Sequence, residues 1–454
     1  MKSFLCYLIA LFLAIACIDN ASFSYAESAP KPTSAPAKPG FLEEKHDNGQ
    51  LKARYAIDAK GVKSGMYTLF TDDAKRIERG VYKNGQLDGS RQTFYPNGNP
   101  KLSESYRNGK LDGSITEYDE KGSGVRAAQY ANGVAITDRT LVEGLMIYPR
   151  SIEIVTAELE KIRKQKIETL KETTPVPAHE GANDSQEDRE NAVRRLMEYR
   201  YLSYVPHTGI VLDPMYNAHD EAAAAILSKI GKLDHTPANP GWPDDRYKFA
   251  YKGTSSSNIF QSSGRESMNV SSVNAYMDDS DQSNIDRVGH RRWCLNPALG
   301  KVGFGSFKGF SAMWSMDHSR KDIPPYDFVA CPGPGYYPTT HFGNKHAWSI
   351  SVSEAKYAKP AKGAVKASIT PVEIQLSKNK ISASGKAFDL DYENLELGGF
   401  GISNCIIFRP AAFKMEEGKA YLVDVVGLKG TNGRPAPLRY VVQFFKPESA
   451  KMTE

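Results

Sequence analysis

Cysteine is scarce in this 454-residue chain: there are five, and two fall within the first 17 residues. Cys294, Cys331 and Cys405 remain, an odd set, and no pair has the C-x-x-C spacing of a structural zinc site. A large excess of charge of one sign is also lacking. The formal net charge is +5 with no long basic run, so the chain carries no nucleic-acid footprint. After the first apolar stretch no run of about 18 apolar residues recurs, so no transmembrane segment is expected in the mature chain. No Gly-x-Ser-x-Gly elbow surrounds Ser257, which lies in a Ser-Ser-Ser run of loop composition. What is present is a chain that is 40% hydrophobic, long enough for about two to four domains.

The start reads as an export signal over 1–26. Lys2 supplies the positive end, Phe4 to Ala16 the apolar run, and Ser24-Tyr25-Ala26 a small-x-small cleavage site. A secreted or periplasmic location follows. A rival reading takes Ala14-Ile15-Ala16-Cys17 as a degenerate lipobox with a lipid on Cys17. Residues 27–50, rich in Pro, Ala, Ser and Lys, read as a flexible tether. Export favours a disulfide, with Cys294–Cys331 as the first choice; three buried free thiols are the alternative.

Residues 51–135 hold an internal repeat. Tyr82-Lys83-Asn84-Gly85-Gln86-Leu87-Asp88-Gly89 recurs as Tyr106-Arg107-Asn108-Gly109-Lys110-Leu111-Asp112-Gly113, and in part as Tyr130-Ala131-Asn132-Gly133, a period of 24. Asn-Gly between β-favouring residues is a strong hairpin sequence, and a fixed period means stacked units. The units resemble MORN-type repeats. That resemblance implies a row of hairpins with tyrosines along one side, used as a spacer or interaction platform; the Lys, Arg and Asp between them read as a solvated face. Residues 136–188 read as a helical segment and linker. Ile152, Val155, Leu159 and Ile162 fall at helical spacing within Ser151–Leu170, and Thr173–Asp188 is polar and broken by prolines.

In 189–320, Val193, Leu196, Met197 and Tyr201 make one helical face. Asp213-Pro214 reads as an N-cap and first helical residue, Ala222 to Ile230 as an apolar stripe, and Gly231 as the C-cap. Val270–Met277 reads as a further helix and Phe310–Met316 as a central strand. The densest stretch is Gly289 to Gly305, GHRRWCLNPALGKVGFG, in which His290 precedes a strand whose glycines allow close backbone packing. This stretch resembles the signature of the CAP superfamily (cysteine-rich secretory, antigen and pathogenesis-related proteins), in its bacterial SCP-like branch. The resemblance implies an α-β-α sandwich and a cleft holding two histidines and two glutamates. His235, in Leu233-Asp234-His235-Thr236-Pro237, matches the first histidine and His290 the second.

The glutamates have no counterpart at the matching positions. Ser257, in Ser256-Ser257-Asn258-Ile259, stands where one belongs, and Ser271-Ser272-Val273 where the other does. Glu266, Asp278 and Asp279 are the nearby acids, none placed by alignment. Two histidines without a carboxylate make at most a weak zinc site, and a hydrolase would lack the group that orients its histidine. The expected cleft residues are therefore His235, His290, Ser257, Asn258, Tyr276 and Trp293, with Phe260 nearby. His318, His341 and His346 read as surface or loop residues.

Residues 321–454 read as a β-rich domain of immunoglobulin-like type, with Tyr326–Pro338 as loop and strands near Ala347–Val352, Val365–Ile374, Cys405–Phe408, Tyr421–Val426 and Tyr440–Phe445. The whole is a multidomain α+β chain. Its expected function is a non-enzymatic binding module for a small apolar or glycan ligand, or a protein partner, without a required cofactor. A metal-assisted hydrolase using His235 and His290, a Ser257 nucleophile with either histidine as base, and an envelope scaffold are the alternatives.

Overall fold

The computed structural model describes residues 40–171, 184–264 and 267–447. The expected signal, Cys17, most of the tether, most of the linker and Glu266 lie outside the described residues.

Ten antiparallel strands, from Gly40–Lys45 to Leu145–Tyr148, form one sheet in strict sequence order. The Asn-Gly turns explain the order. Asn84, Asn108 and Asn132 have φ near +50° and each is followed by a glycine of positive φ, the two-residue turn whose twist matches its strands. Each turn is tied to the hairpin before it: Gly109 N–H donates to Leu87 O at 2.8 Å and Gly133 N–H to Leu111 O at 2.7 Å. The repeated aspartate has a job too, because Asp88 Oδ2 accepts from Asn108 N–H at 3.1 Å. Tyr55, Tyr67 and Tyr82 stack with ring centroids 4.8–6.4 Å apart. The charges of the repeat turns, Lys83, Arg107 and Lys110, are exposed, while elsewhere on the sheet Arg91 bridges Glu78 and Glu104, and Arg126 grips buried Asp138.

The helices are α1 (Ile152–Lys164), α2 (Gln186–Leu202), α3 (Pro214–Ile230), α4 (Asp244–Ser256), α5 (Met268–Asp278) and α6 (Gly289–Cys294). The first is shorter than expected; beyond its end Thr169 bridges to Leu212. Asp213 caps α3 through Met215 N–H, and Gly231 closes it at φ +72°. A four-stranded sheet runs in the order Val211–Leu212, Lys301–Phe307, Phe310–Trp314, Ser257–Gln261. Ala222, Ala223, Ile226 and Leu227 of α3 pack with Ala250 of α4 on Ile259, Phe310 and Ala312. Residues of α2 and α5 share a core with Val302, Phe304 and Met313, which alternate to the opposite face. Gly303 and Gly305 let α3 lie directly on its strand, since a Cβ there would stand 2.4 and 2.1 Å from the α3 backbone.

The C-terminal part holds a four-stranded and a five-stranded sheet. Trp348, Phe408, Phe413, Tyr421 and Phe444 fill the space between them. The span expected to be loop contains two strands, Phe328–Cys331 and Gly335–Pro338. Prolines and glycines separate them, yet FVAC is buried in an antiparallel pair and Gly335–Pro338 pairs in parallel with Leu438–Phe445. One apolar cluster runs through α1, α2, α5 and both C-terminal sheets. The tenth strand of the hairpin sheet also docks here, with Tyr148 stacked on Tyr336 at 4.3 Å.

Candidate functional site

His235 and His290 come together with ring centroids 6.3 Å apart and planes inclined by 30°. His235 lies in the loop after α3. Its Nδ1–H donates to Thr254 O at 2.8 Å, and Thr254 Oγ1–H returns a bond to His235 O at 3.1 Å. The Asp234 carboxylate accepts from Thr236 N–H at 2.9 Å and tightens the same loop. Part of the ring meets solvent; loss of hydration on its packed side lowers the pKa, the Thr254 bond opposes this, and neighbouring His290 lowers it further.

His290 sits in the first turn of α6, over the Tyr276 ring at 5.4 Å. Its Nδ1 lies 2.8 Å from Asp279 Oδ1, and Asp279 Oδ2 accepts from Arg291 N–H at 3.3 Å. A carboxylate therefore does stand behind a histidine, from a position that alignment with the resembled family does not reach. Asp279 is the left-handed C-cap of α5, at φ +45°, and this turn aims its buried side chain back at α6. Val288, the N-cap of α6, is also left-handed at φ +40°. A β-branched residue there is strained by roughly 1–3 kcal/mol. It is held by burial among Ile285, Ala347, Cys405 and Ile407.

The two arginines of GHRRW are clamps. Arg291 is fully buried and donates to Met277 O at 2.8 Å, Ala347 O at 2.7 Å, Ser349 Oγ at 3.0 Å and Asp278 O. Arg292 donates to Ile402 O, Gly398 O and Arg287 O. Ser280 Oγ meanwhile accepts from Ala347 N–H at 2.8 Å. The elements carrying His290 and Asp279 are thus fastened to the C-terminal sheets. No sequence pattern gave this, because the acceptors are backbone carbonyls, some over a hundred residues away.

Three of the other expected cleft residues lie beneath the surface. Ser257 is buried and donates to Asp220 Oδ1 at 2.6 Å, so its hydroxyl is turned from both histidines. Burial raises the Asp220 pKa well above its usual value, with the Ser257 and Trp314 N–H bonds opposing. Asn258 uses its amide to hold His290 O at 3.1 Å and accepts from Ser315 Oγ at 3.1 Å. Tyr276 is fully buried and donates to Asn258 O at 3.0 Å, making the floor under His290. Trp293 packs edge-on against His318 at 5.9 Å and beside Gly401. The Cys294–Cys331 disulfide is corrected: all three described cysteines are free and buried. Cys294 Sγ faces the Asn258 amide at 3.5 Å, while Cys331 Sγ faces Tyr337 OH at 3.8 Å. His341 is no surface residue either; it is buried against Glu198 at 2.9 Å and Arg195 at 2.7 Å.

Neither histidine Nε2 has a protein partner among the described residues, while each Nδ1 is occupied. That is how metal-ligating histidines are oriented, with the second nitrogen tied to a carbonyl or carboxylate. A tetrahedral ion bound through both Nε2 atoms would place the ring centroids roughly 5 Å apart. The observed 6.3 Å is wider, so a shared ion requires the two rings to draw together by about 1 Å. No group of three His, Cys, Asp or Glu suited to a metal exists among the described residues. The donor set thus fits an open two-nitrogen site, completed by water or ligand, and not a closed structural one.

Neither a protein-family profile nor a curated protein sequence matches the chain. Among solved structures, a cysteine-rich secretory protein from Staphylococcus aureus subsp. aureus Mu50 is similar at 11% identity and a TM-score of 0.17, over 57% of this chain and 82% of that one. Likeness at that level assigns no fold. No helix among the described residues is long and apolar enough to cross a membrane.

Proposed function

We propose that this is an exported binding module of CAP-like architecture, in which the His235–His290 pair grips a ligand and the hairpin array serves as spacer or platform. The observation carrying this reading is the pair itself: two adjacent imidazoles, each anchored through Nδ1, each with Nε2 unpartnered. Such a pair can donate to or accept from a polar ligand atom, or share a transition-metal ion with it. A small polar group on an otherwise apolar or glycan-type ligand fits that chemistry.

Asp279 favours a second reading, a hydrolase. A carboxylate behind an imidazole holds its tautomer and stabilises the imidazolium that forms when Nε2 takes a proton. His290 has this arrangement. Ser257, turned to Asp220, does not supply a nucleophile, so water would be activated instead. If zinc binds, His235 and His290 are the residues that would hold it through Nε2, it would supply Lewis acidity to that water, and His290 would then act as ligand and not as base.

Hydrolysis of p-nitrophenyl acetate, with and without added zinc, separates the readings. The binding module predicts the same rate for wild type, His290→Ala and Asp279→Asn. A hydrolase predicts a wild-type rate above both variants, with Asp279→Asn lower by about 10–100-fold.

A further inference from the structure

A cavity of about 220 Å³ lies where the hairpin sheet meets the start of α1 and the five-stranded C-terminal sheet. Its charged side comes from the last repeats. Glu117, Arg126 and Thr140 stand opposite one another across the strands Lys110–Tyr118, Gly124–Ala131 and Val134–Val142, and Asp138 shares their face. The other side is aromatic: Tyr148 and Tyr336 stack with ring centroids 4.3 Å apart and planes inclined by 11°.

The charges in this cavity do not balance. Arg126 gives its Nε–H and Nη2–H to the two carboxylate oxygens of Asp138, which is buried, so the one cation is taken up by one acid. Half-buried Glu117 beside it has neither a hydrogen bond nor a close ion pair among the described residues. Glu153 also lines the cavity without an ion pair, but it sits in the first turn of α1, where a carboxylate answers the positive helix end. Glu117 is therefore the charge left over. Thr140 supplies an independent sign of a ligand. It lines the cavity, is 6% exposed, and its hydroxyl has no partner among the described residues, whereas buried hydroxyls are ordinarily satisfied. The negative field also reaches the aromatic side: burial raises the Tyr336 pKa, and Glu153 and Asp138 raise it further, against Arg126. Aromatic rings beside an unbalanced carboxylate are the surroundings that an organic cation takes.

We propose that this cavity binds a small alkylammonium, its charge between Glu117 and the tyrosine pair and a hydroxyl at Thr140. The test titrates the full chain, at constant total chloride, with choline and with its uncharged isostere 3,3-dimethylbutan-1-ol, followed by ligand-observed NMR. Choline is expected to bind about tenfold more tightly than the alcohol. That preference disappears in Glu117→Gln, both compounds weaken in Tyr336→Leu, and Thr140→Val weakens choline while leaving tetramethylammonium unchanged. Unchanged far-ultraviolet circular dichroism is the check on folding. Binding of neither compound, equal binding of both, a preference retained in Glu117→Gln, or choline unaffected by Tyr336→Leu or by Thr140→Val would overturn the proposal. So would loss of choline binding in His235→Ala/His290→Ala, which would place the cation at the histidines.

Discussion

Replacing Arg291 by methionine keeps length and apolar bulk but removes every donor of the clamp. Two backbone carbonyls, those of Met277 and Ala347, then lose their partner in a buried place, while Asp278 O keeps the Ser280 hydroxyl. Each orphaned buried acceptor costs about 1–3 kcal/mol. The guanidinium's own desolvation penalty disappears in the variant and offsets part of that, leaving a net loss of about 2–4 kcal/mol. At roughly 2–4 °C per kcal/mol, the unfolding transition of the helical and C-terminal parts should fall by roughly 4–16 °C. Differential scanning calorimetry on the full chain reads this directly. The strained Val288 turn and the Asp279 turn lean on the same clamp, so histidine-site binding should weaken even well below the transition. A shift under about 2 °C with unchanged binding would refute the reasoning, and α6 would then be held by its apolar contacts alone.

Two further outcomes follow from the buried groups. Burial brings the His341 pKa down to about 4, against the raising effect of Glu198, and the nearby arginines Arg195 and Arg163 push the same way as burial. Burial alone would raise Glu198, yet its carboxyl is brought down to about 2 by its charged and hydrogen-bonded neighbours, chiefly His341 and Arg195. With His341 neutral above about pH 4, the arginines do most of that holding. A histidine pKa lower in the fold than in the unfolded chain means full stability above pH 6.5 and loss as pH falls toward 4, by about 3 kcal/mol at most. Urea unfolding at pH 7 and pH 5 should show the drop, and His341→Gln should flatten it. In a chain begun at residue 27, the three buried thiols should be unreactive to a thiol reagent when native and titrate as three on denaturation; two missing thiols in the denatured, unreduced protein would mean a disulfide.

Much of the local structure was legible because it is local. Asn-Gly fixes a hairpin by its own backbone preference, and Asp213, Pro214 and Gly231 bound α3 through bonds within a few residues. Gly303 and Gly305 signalled a close approach that the α3 contact explains. The site was legible only in part. His235 and His290 could be named, but Asp279 could not, since a left-handed cap at the end of α5 turns it onto α6. Arg291 and Arg292 carry no pattern of their own partners, which are carbonyls from remote strands. Phe328–Cys331 and Gly335–Pro338 hid among glycines and prolines that in fact mark the ends of buried strands.

The central claim is that His235 and His290 form one binding site. Isothermal titration of the full chain with zinc, beside His235→Ala, His290→Ala and the double variant, tests it most directly. The account predicts one weakly held ion per chain, lost in each single variant and no further reduced in the double one. Binding of equal strength in wild type and the double variant would contradict it.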